Sequence, residues 1–206
     1  MNKLFSVAFT VIVVAFYSCN CDKIINCGSL SSDALVILNA NQNDTFAFVN
    51  SAGSHLLFIV IGRTFSAPYE LKACRHTGLG CSCDYQCSAL GSMLTYTDSG
   101  INGINKYSIE IAESGVSNRR TYSELTYRIS GFSAQIDLLN SQLYPGDSLL
   151  SLVQLGNEIY TNVYVHQIDT MNNAFQNIPV LKGYFTKTKG LVGFVDKLSK
   201  TLFYRE

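Results

Sequence analysis

Ser148, in Gly146-Asp147-Ser148-Leu149, is the residue through which this chain could do covalent chemistry. A nucleophilic serine needs a base and an oxyanion-stabilising group within reach. The nearest partners along the chain are His166 and Asp169, in the run His166-Gln167-Ile168-Asp169. A Tyr144-Pro145-Gly146-Asp147 turn entering a strand accounts for the same residues without catalysis. The three histidines, His55, His76 and His166, are too scattered to suggest a metal site by spacing. No two carboxylates fall on one expected strand face as an acid/base couple would need. No catalytic residue, cofactor site or metal site is therefore assigned. Gly78-Leu79-Gly80 begins like a phosphate loop, but neither a strand nor a helix is expected to flank it.

The cysteines are more telling. Cys19 follows a short positive start, Met1-Asn2-Lys3, and an apolar run from Leu4 to Tyr17. Those fourteen residues suit a signal-peptide core and are short for a spanning helix, which needs about 20. Ser18-Cys19 supplies the small residue and the cysteine that a lipoprotein peptidase requires. Residues 1–18 are read as a lipoprotein signal peptide and Cys19 as the lipidated (palmitate-carrying) first residue. The chain then meets the membrane through its N-terminal lipid. An exported protein matures where disulfides persist. Cys21, Cys27, Cys74, Cys81, Cys83 and Cys87 are accordingly disulfide candidates, with fifteen pairings open. Metal binding by Cys74, His76, Cys81, Cys83 and Cys87 is the competing reading, although their spacing follows no zinc pattern.

Lysine plus arginine equal aspartate plus glutamate at 15 each, so the chain has no net field to draw nucleic acid. No nucleic-acid partner is expected. Arg119-Arg120 reads as a solvated turn. Lys182, Lys187, Lys189, Lys197 and Lys200 read as solvated lysines that protect sheet edges. Twelve Phe and twelve Tyr must build the aromatic core, because tryptophan is absent.

The elements that would position these residues are strands. Asp44–Asn50 and His55–Gly62 read as a hairpin, the second strand buried on both faces. Lys106–Ala112 turns Tyr107, Ile109 and Ile111 inward, and Ser123–Ile129 turns Leu125, Tyr127 and Ile129 inward. One wet and one dry face indicates an antiparallel sheet. Ser148–Leu155 and Ile159–His166 flank the two-residue turn Gly156-Asn157. Val180–Thr186, Leu191–Val195 and Thr201–Tyr204 close the chain. Ala34–Leu38 and Ser92–Thr97 are weaker strand candidates. Pro68–Gly91 reads as a disulfide-rich loop. Phe132, Ile136, Leu139 and Leu143 stand at helical spacing, although a strand is also open there. The expected fold is mainly β, with antiparallel sheets in a sandwich, a barrel-like form or a strongly curved sheet. About nine to eleven strands and at most one or two short helices are expected. Residues 19–32 form a lipid-anchored tether and 33–206 a single β-rich domain, with a lobe boundary open near 114–118.

Two resemblances add to this. Gly146-Asp147-Ser148-Leu149 resembles the serine motif of GDSL-like hydrolases, but it lies late in the chain and no Asp-x-x-His follows it. The signal ending in Ser18-Cys19 resembles those of uncharacterised Bacteroidota (Bacteroides-type) cell-envelope lipoproteins. So do the hairpins Gly156–Tyr164 and Gly183–Lys197. That resemblance covers the signal and roughly residues 144–206. It implies an antiparallel β fold and a lipid-anchored place in the cell envelope, at the outer membrane. It also implies that Asp147-Ser148-Leu149 and Asp169-Thr170-Met171 fit a short O-glycosylation motif, marking Ser148 and Thr170. It implies no activity. The leading expectation is a non-catalytic interaction or structural module. The alternative is a carrier of an apolar ligand in the curved sheet, and the remote alternative is a hydrolase using Ser148.

Overall fold

The computed structural model describes residues 27–206, apart from 78–79, 117–118, 169–173 and 175, and leaves the side chains of 71–77, 80–82 and 98–100 undescribed. The leader 1–18, Cys19, Cys21, Asp169 and Thr170 lie outside the described residues. Twelve strands form one antiparallel sheet curled into a half-barrel, with one short helix against it. The strands are β1 (Thr45–Asn50), β2 (His55–Phe65), β3 (Tyr69–Thr77), β4 (Gly80–Ile101), β5 (Ile104–Val116) and β6 (Arg119–Ile129). They continue as β7 (Phe132–Asp137), β8 (Asp147–Leu155), β9 (Glu158–Gln167), β10 (Val180–Thr186), β11 (Gly190–Asp196) and β12 (Leu202–Arg205). The order across the sheet is β7-β6-β5-β4-β2-β1-β12-β11-β10-β9-β8, and β3 pairs with β4 off that path.

Alternation makes the curl possible. Tyr107, Ile109 and Ile111 of β5 and Leu125, Tyr127 and Ile129 of β6 all point into the half-barrel and are buried. Phe132 on β7 meets Phe185 on β10 at 6.3 Å and His166 on β9 at 5.3 Å, so the two ends of the sheet approach each other. Phe185 also stacks on Tyr127 at 4.8 Å. Phe48, Phe58, Phe194 and Phe203 continue the aromatic packing toward β1 and β12. Two close approaches depend on glycine. A Cβ on Gly183 would lie 2.6 Å from the Phe185 ring and 2.9 Å from Phe132. Gly190, at φ +74°, lies under the Tyr107 hydroxyl, where a Cβ would come within 2.9 Å. The inside of the curl is thus a filled core.

Several expectations are corrected. Ala34–Leu38 is not a strand, because helix α1 spans Ser32–Ile37. Ser31 caps it, its hydroxyl accepting from the Ala34 N–H at 3.2 Å, and Asp33 sits in the first turn. Ala34 and Leu38, four residues apart, face the core. Phe132–Leu143 is not a helix: Phe132, Ala134 and Ile136 alternate inward on β7. Asp137 then turns the chain by accepting the Leu139 and Asn140 N–H groups, each at 2.9 Å. Leu139 and Leu143 lie exposed beyond it.

Pro68–Gly91 is mostly paired strand, β3 running against β4 from Tyr69↔Ser88 to Thr77↔Gly80. β2 is buried on one face, since Leu57 and Ile61 are exposed. Lys182 lies on β10, an interior strand, so the edge-protecting role read for it does not hold. Arg120 lies 3.7 Å from the buried Glu113 carboxylate, so it is more than a solvated turn residue. Ser114–Val116 and the start of β6 are paired strand in one hairpin.

The N-terminal stretch is bound to the sheet from the first described residue. Cys27 is bridged to Cys87. Ser31 donates its N–H to Glu113 at 2.9 Å and its hydroxyl at 2.6 Å, and Ser123 donates to the same carboxylate at 3.0 Å.

Candidate functional site

The hydrolase residues come close without assembling. Asp147 on β8 pairs in register with His166 on β9, and their side chains are bonded through Oδ1 and Nδ1. The Asp147 side chain is nearly buried and the imidazole packs edge-on against Phe132. Ser148 pairs with Val165, one step along the ladder, so its side chain points to the opposite face from His166. The motif's aspartate, not its serine, reaches the histidine. The pair ties the entrance of β8 to the end of β9 and leaves Ser148 away from the imidazole.

The cysteines divide similarly. Cys27–Cys87 is a disulfide, and Cys83 is also disulfide-bonded. Cys74 on β3 stands opposite Cys83 on β4, and His76 opposite Cys81, by backbone register. No group of three or more metal-ligating side chains converges among the described residues. His55 opens β2 and lies 3.6 Å from the Glu206 carboxylate at the surface.

Space for a ligand lies instead around the β10–β11 turn, Lys187-Thr188-Lys189. Thr188 lines three clefts of about 380, 270 and 490 Å³. The first has a floor of Phe46, Met93, Tyr107 and Ile109, with Tyr160 and the α1 residues Val36 and Ile37 at its side. Its rim carries both signs: Lys189 and Arg205 against Glu158 and Glu206. The Arg205 guanidinium lies over Phe46 at 4.5 Å and donates to the Lys189 carbonyl at 2.6 Å. Lys189 lies over Tyr160 at 5.1 Å. Burial and the Glu158 carboxylate push the Tyr160 phenol up, against the pull of Arg205. The second cleft runs between α1 and the 138–139 turn, with Asp33, Arg120 and Lys187 on its walls.

The third cleft sits between β8, β9 and the turn. Tyr164 and Thr186 form its base, and Ser141, Leu149, Thr161 and Asn162 its walls. Lys187 donates from Nζ to the Leu138 carbonyl at 3.3 Å and to the Ser141 hydroxyl at 2.8 Å. Its ammonium also faces the Tyr164 ring at 5.9 Å. Sequence reasoning read Lys187 and Lys189 as plain surface lysines, and no spacing pattern marks this turn. Apolar residues on both faces of Ile159–His166 hide the irregularity at Asn162, where φ is +51°.

Fold and clefts together define a mainly-β half-barrel with a packed interior, three clefts that share Thr188 and a smaller one of about 220 Å³ beside Cys87. The chain matches no protein-family model, and neither a curated protein nor a solved structure is significantly similar to it.

Proposed function

We propose that this chain is a non-catalytic binding module of the cell envelope, exported through residues 1–18 and lipid-anchored at Cys19, that works through the clefts around Lys187-Thr188-Lys189. The observation that carries the reading is the convergence of three clefts on Thr188 at the rim of a core that is otherwise filled. Binding sites are concave and combine apolar walls with a few polar groups, which this end of the molecule offers. The Asp147–His166 pair serves as a structural tie in this reading, because Ser148 faces away from it.

Replacing Thr188 by Trp fills the mouth shared by the clefts. Small molecules that raise the unfolding midpoint of the native chain are expected to lose that effect on T188W. A library that never shifts the midpoint, or shifts both chains equally, contradicts the site. Ester hydrolysis abolished by Ser148→Ala contradicts the non-catalytic part. A mature N-terminal peptide starting at Cys19 with the mass of a diacylglyceryl thioether supports the anchor, and an unmodified Cys19 overturns it.

A second reading, carriage of an apolar ligand, is favoured by one feature, the 380 Å³ cleft floored by Phe46, Met93, Tyr107 and Ile109. The filled core moves any such ligand from the inside of the curl to its rim.

A further inference from the structure

We infer that the cleft between β8, β9 and the β10–β11 turn is a binding site for a neutral carbohydrate of about two sugar units. The inference rests on the binding-module reading above and names the ligand class of one of its clefts. Three observations meet there.

The first is the lining. Ser141, Thr161, Tyr164, Thr186 and Thr188 bring five hydroxyls, and Asn162 brings an amide. Hydroxyls and amides both donate and accept, which matches a ligand whose own groups do the same. Among the described residues, the one charge lining the cleft is the Lys187 ammonium, already engaged with the Leu138 carbonyl and the Ser141 hydroxyl, and no carboxylate lines it. An apolar guest would leave this row of polar groups without partners, which disfavours it. An inorganic anion would find one shared ammonium and no further cation.

The second is strain. Asn162 takes φ +51° in the middle of β9, between the paired residues Val163 and Thr161. Ser141, which also lines the cleft, takes φ +54°. Left-handed backbone at a residue other than glycine is uncommon, and inside a strand it breaks the alternation of faces. Here it leaves Tyr160 and Val163 buried with Thr161 and Asn162 both turned to the solvent side, where they line the cleft. Two polar residues that line one space are thus both held in left-handed backbone.

The third is availability. Among the described residues, no protein hydrogen bond occupies the side chains of Thr161, Asn162 or Thr188. The Thr186 hydroxyl accepts from the Lys189 N–H at 3.0 Å and keeps its own proton to donate. The cleft, at about 490 Å³, has room for a disaccharide and not for a long chain.

The test is an amide chemical-shift titration of the folded, disulfide-intact chain. Its probes are cellobiose, maltose, mannobiose and diacetylchitobiose, with inorganic phosphate and octanoate as probes of other chemistry. At least one disaccharide is expected to shift the Asn162, Tyr164 and Thr188 amides saturably, with a midpoint of about 1–10 mM. Asn162→Gly should keep the fold, since glycine accepts the left-handed backbone, and its unfolding midpoint should be unchanged or raised. It should lose at least tenfold in disaccharide affinity. N162G that binds as tightly as the native chain overturns the site. Phosphate or octanoate shifting these amides while every disaccharide leaves them still overturns the sugar class and leaves the binding-module reading standing. If no probe moves any residue of the three clefts, both fall.

Discussion

The hairpins β5–β6 and β8–β9 are both rich in apolar residues and meet opposite fates. In β5–β6, Ile111, Leu125 and Tyr127 are completely enclosed. In β8–β9, Leu149, Leu150, Leu152 and Ile159 stand between 40 and 60 % exposed. The difference lies in what faces each hairpin. β5 and β6 each have a strand on both sides, and their inner face looks across the curl at β10 and β11. β8 is the last strand of the sheet. Its far end turns instead onto the outer face of β11 and β12, where Leu155, Tyr160, Val163, Val165 and Val192 form a second, small cluster. Alternation therefore says that a strand has two unlike faces. What lies across from the apolar face decides whether it finds a cover: β7 is also a terminal strand, and its Phe132, Ala134 and Ile136 are buried.

The contrast breaks most readily at the ring where the two ends of the sheet meet. Phe185 is buried between Tyr127 and Phe132, so Phe185→Ala opens a cavity that three strands cannot collapse around. A loss of about 3–5 kcal/mol is expected in urea denaturation. A loss under about 1 kcal/mol would mean that the ends of the sheet do not pack as described.

Glu113 tests the N-terminal strap. Its buried carboxylate receives both donors of Ser31 and the hydroxyl of Ser123. Glu113→Ala strands those donors and should remove about 2–4 kcal/mol. Ser31→Ala removes the helix cap and one of the donors, and should lose less, about 1–2 kcal/mol. Equal losses from the two variants would show that the carboxylate contributes nothing beyond the cap.

Tyrosine ionisation separates the hairpins by pH. Burial pushes the Tyr107 and Tyr127 phenols well above their ordinary value, and the two rings also repel each other's charge at Tyr127. A folded-state value raised above the unfolded one means stability that is complete below pH ~10 and drains away above it. Each of the two should contribute a slope of about 1.4 kcal/mol per pH unit there. Phenolate absorbance of the folded chain should miss these two tyrosines until it unfolds. A titration in which all tyrosines ionise before the fold is lost would contradict the packing of β5 and β6.

Much of this was legible. The β5–β6 hairpin follows from period-two alternation, β1–β2 from an alternating strand and an apolar run about a turn, and β8–β9 and the closing strands β10 to β12 from apolar runs punctuated by turn residues. The misread elements share a cause. Ala34–Leu38 is five residues long, too short for a period to show, and its helical signal was the cap Ser31 with Asp33 behind it. Phe132 and Ile136 fit both a helical and a strand spacing, and what decided it was the left-handed pair Ser130 and Gly131, which forces a tight hairpin after β6. The 68–91 segment is polar and cysteine-rich, so its strands rest on pairing with each other more than on an apolar face. The clefts were invisible because Asn162 on β9 and the Lys187-Thr188 turn lie far apart in the chain and meet only through the pairing of β9 with β10.

The smallest effect is also the sharpest check on the comparison. Leu152 is 59 % exposed on β8, while Leu125 is fully enclosed on β6. Both are leucines on antiparallel strands, so intrinsic strand preference cancels between them. Leu125→Ala should lose about 2–5 kcal/mol, since it removes buried methyl groups and leaves a hole. Leu152→Ala removes the same atoms from a surface already wet, and its effect should stay within about 0.5 kcal/mol. A Leu152 effect approaching that of Leu125 would show that β8 has a cover that the isolated chain lacks, and dilution of the sample would then have to reduce the stability of the native chain. A small effect that is independent of concentration fixes this face of β8 as uncovered.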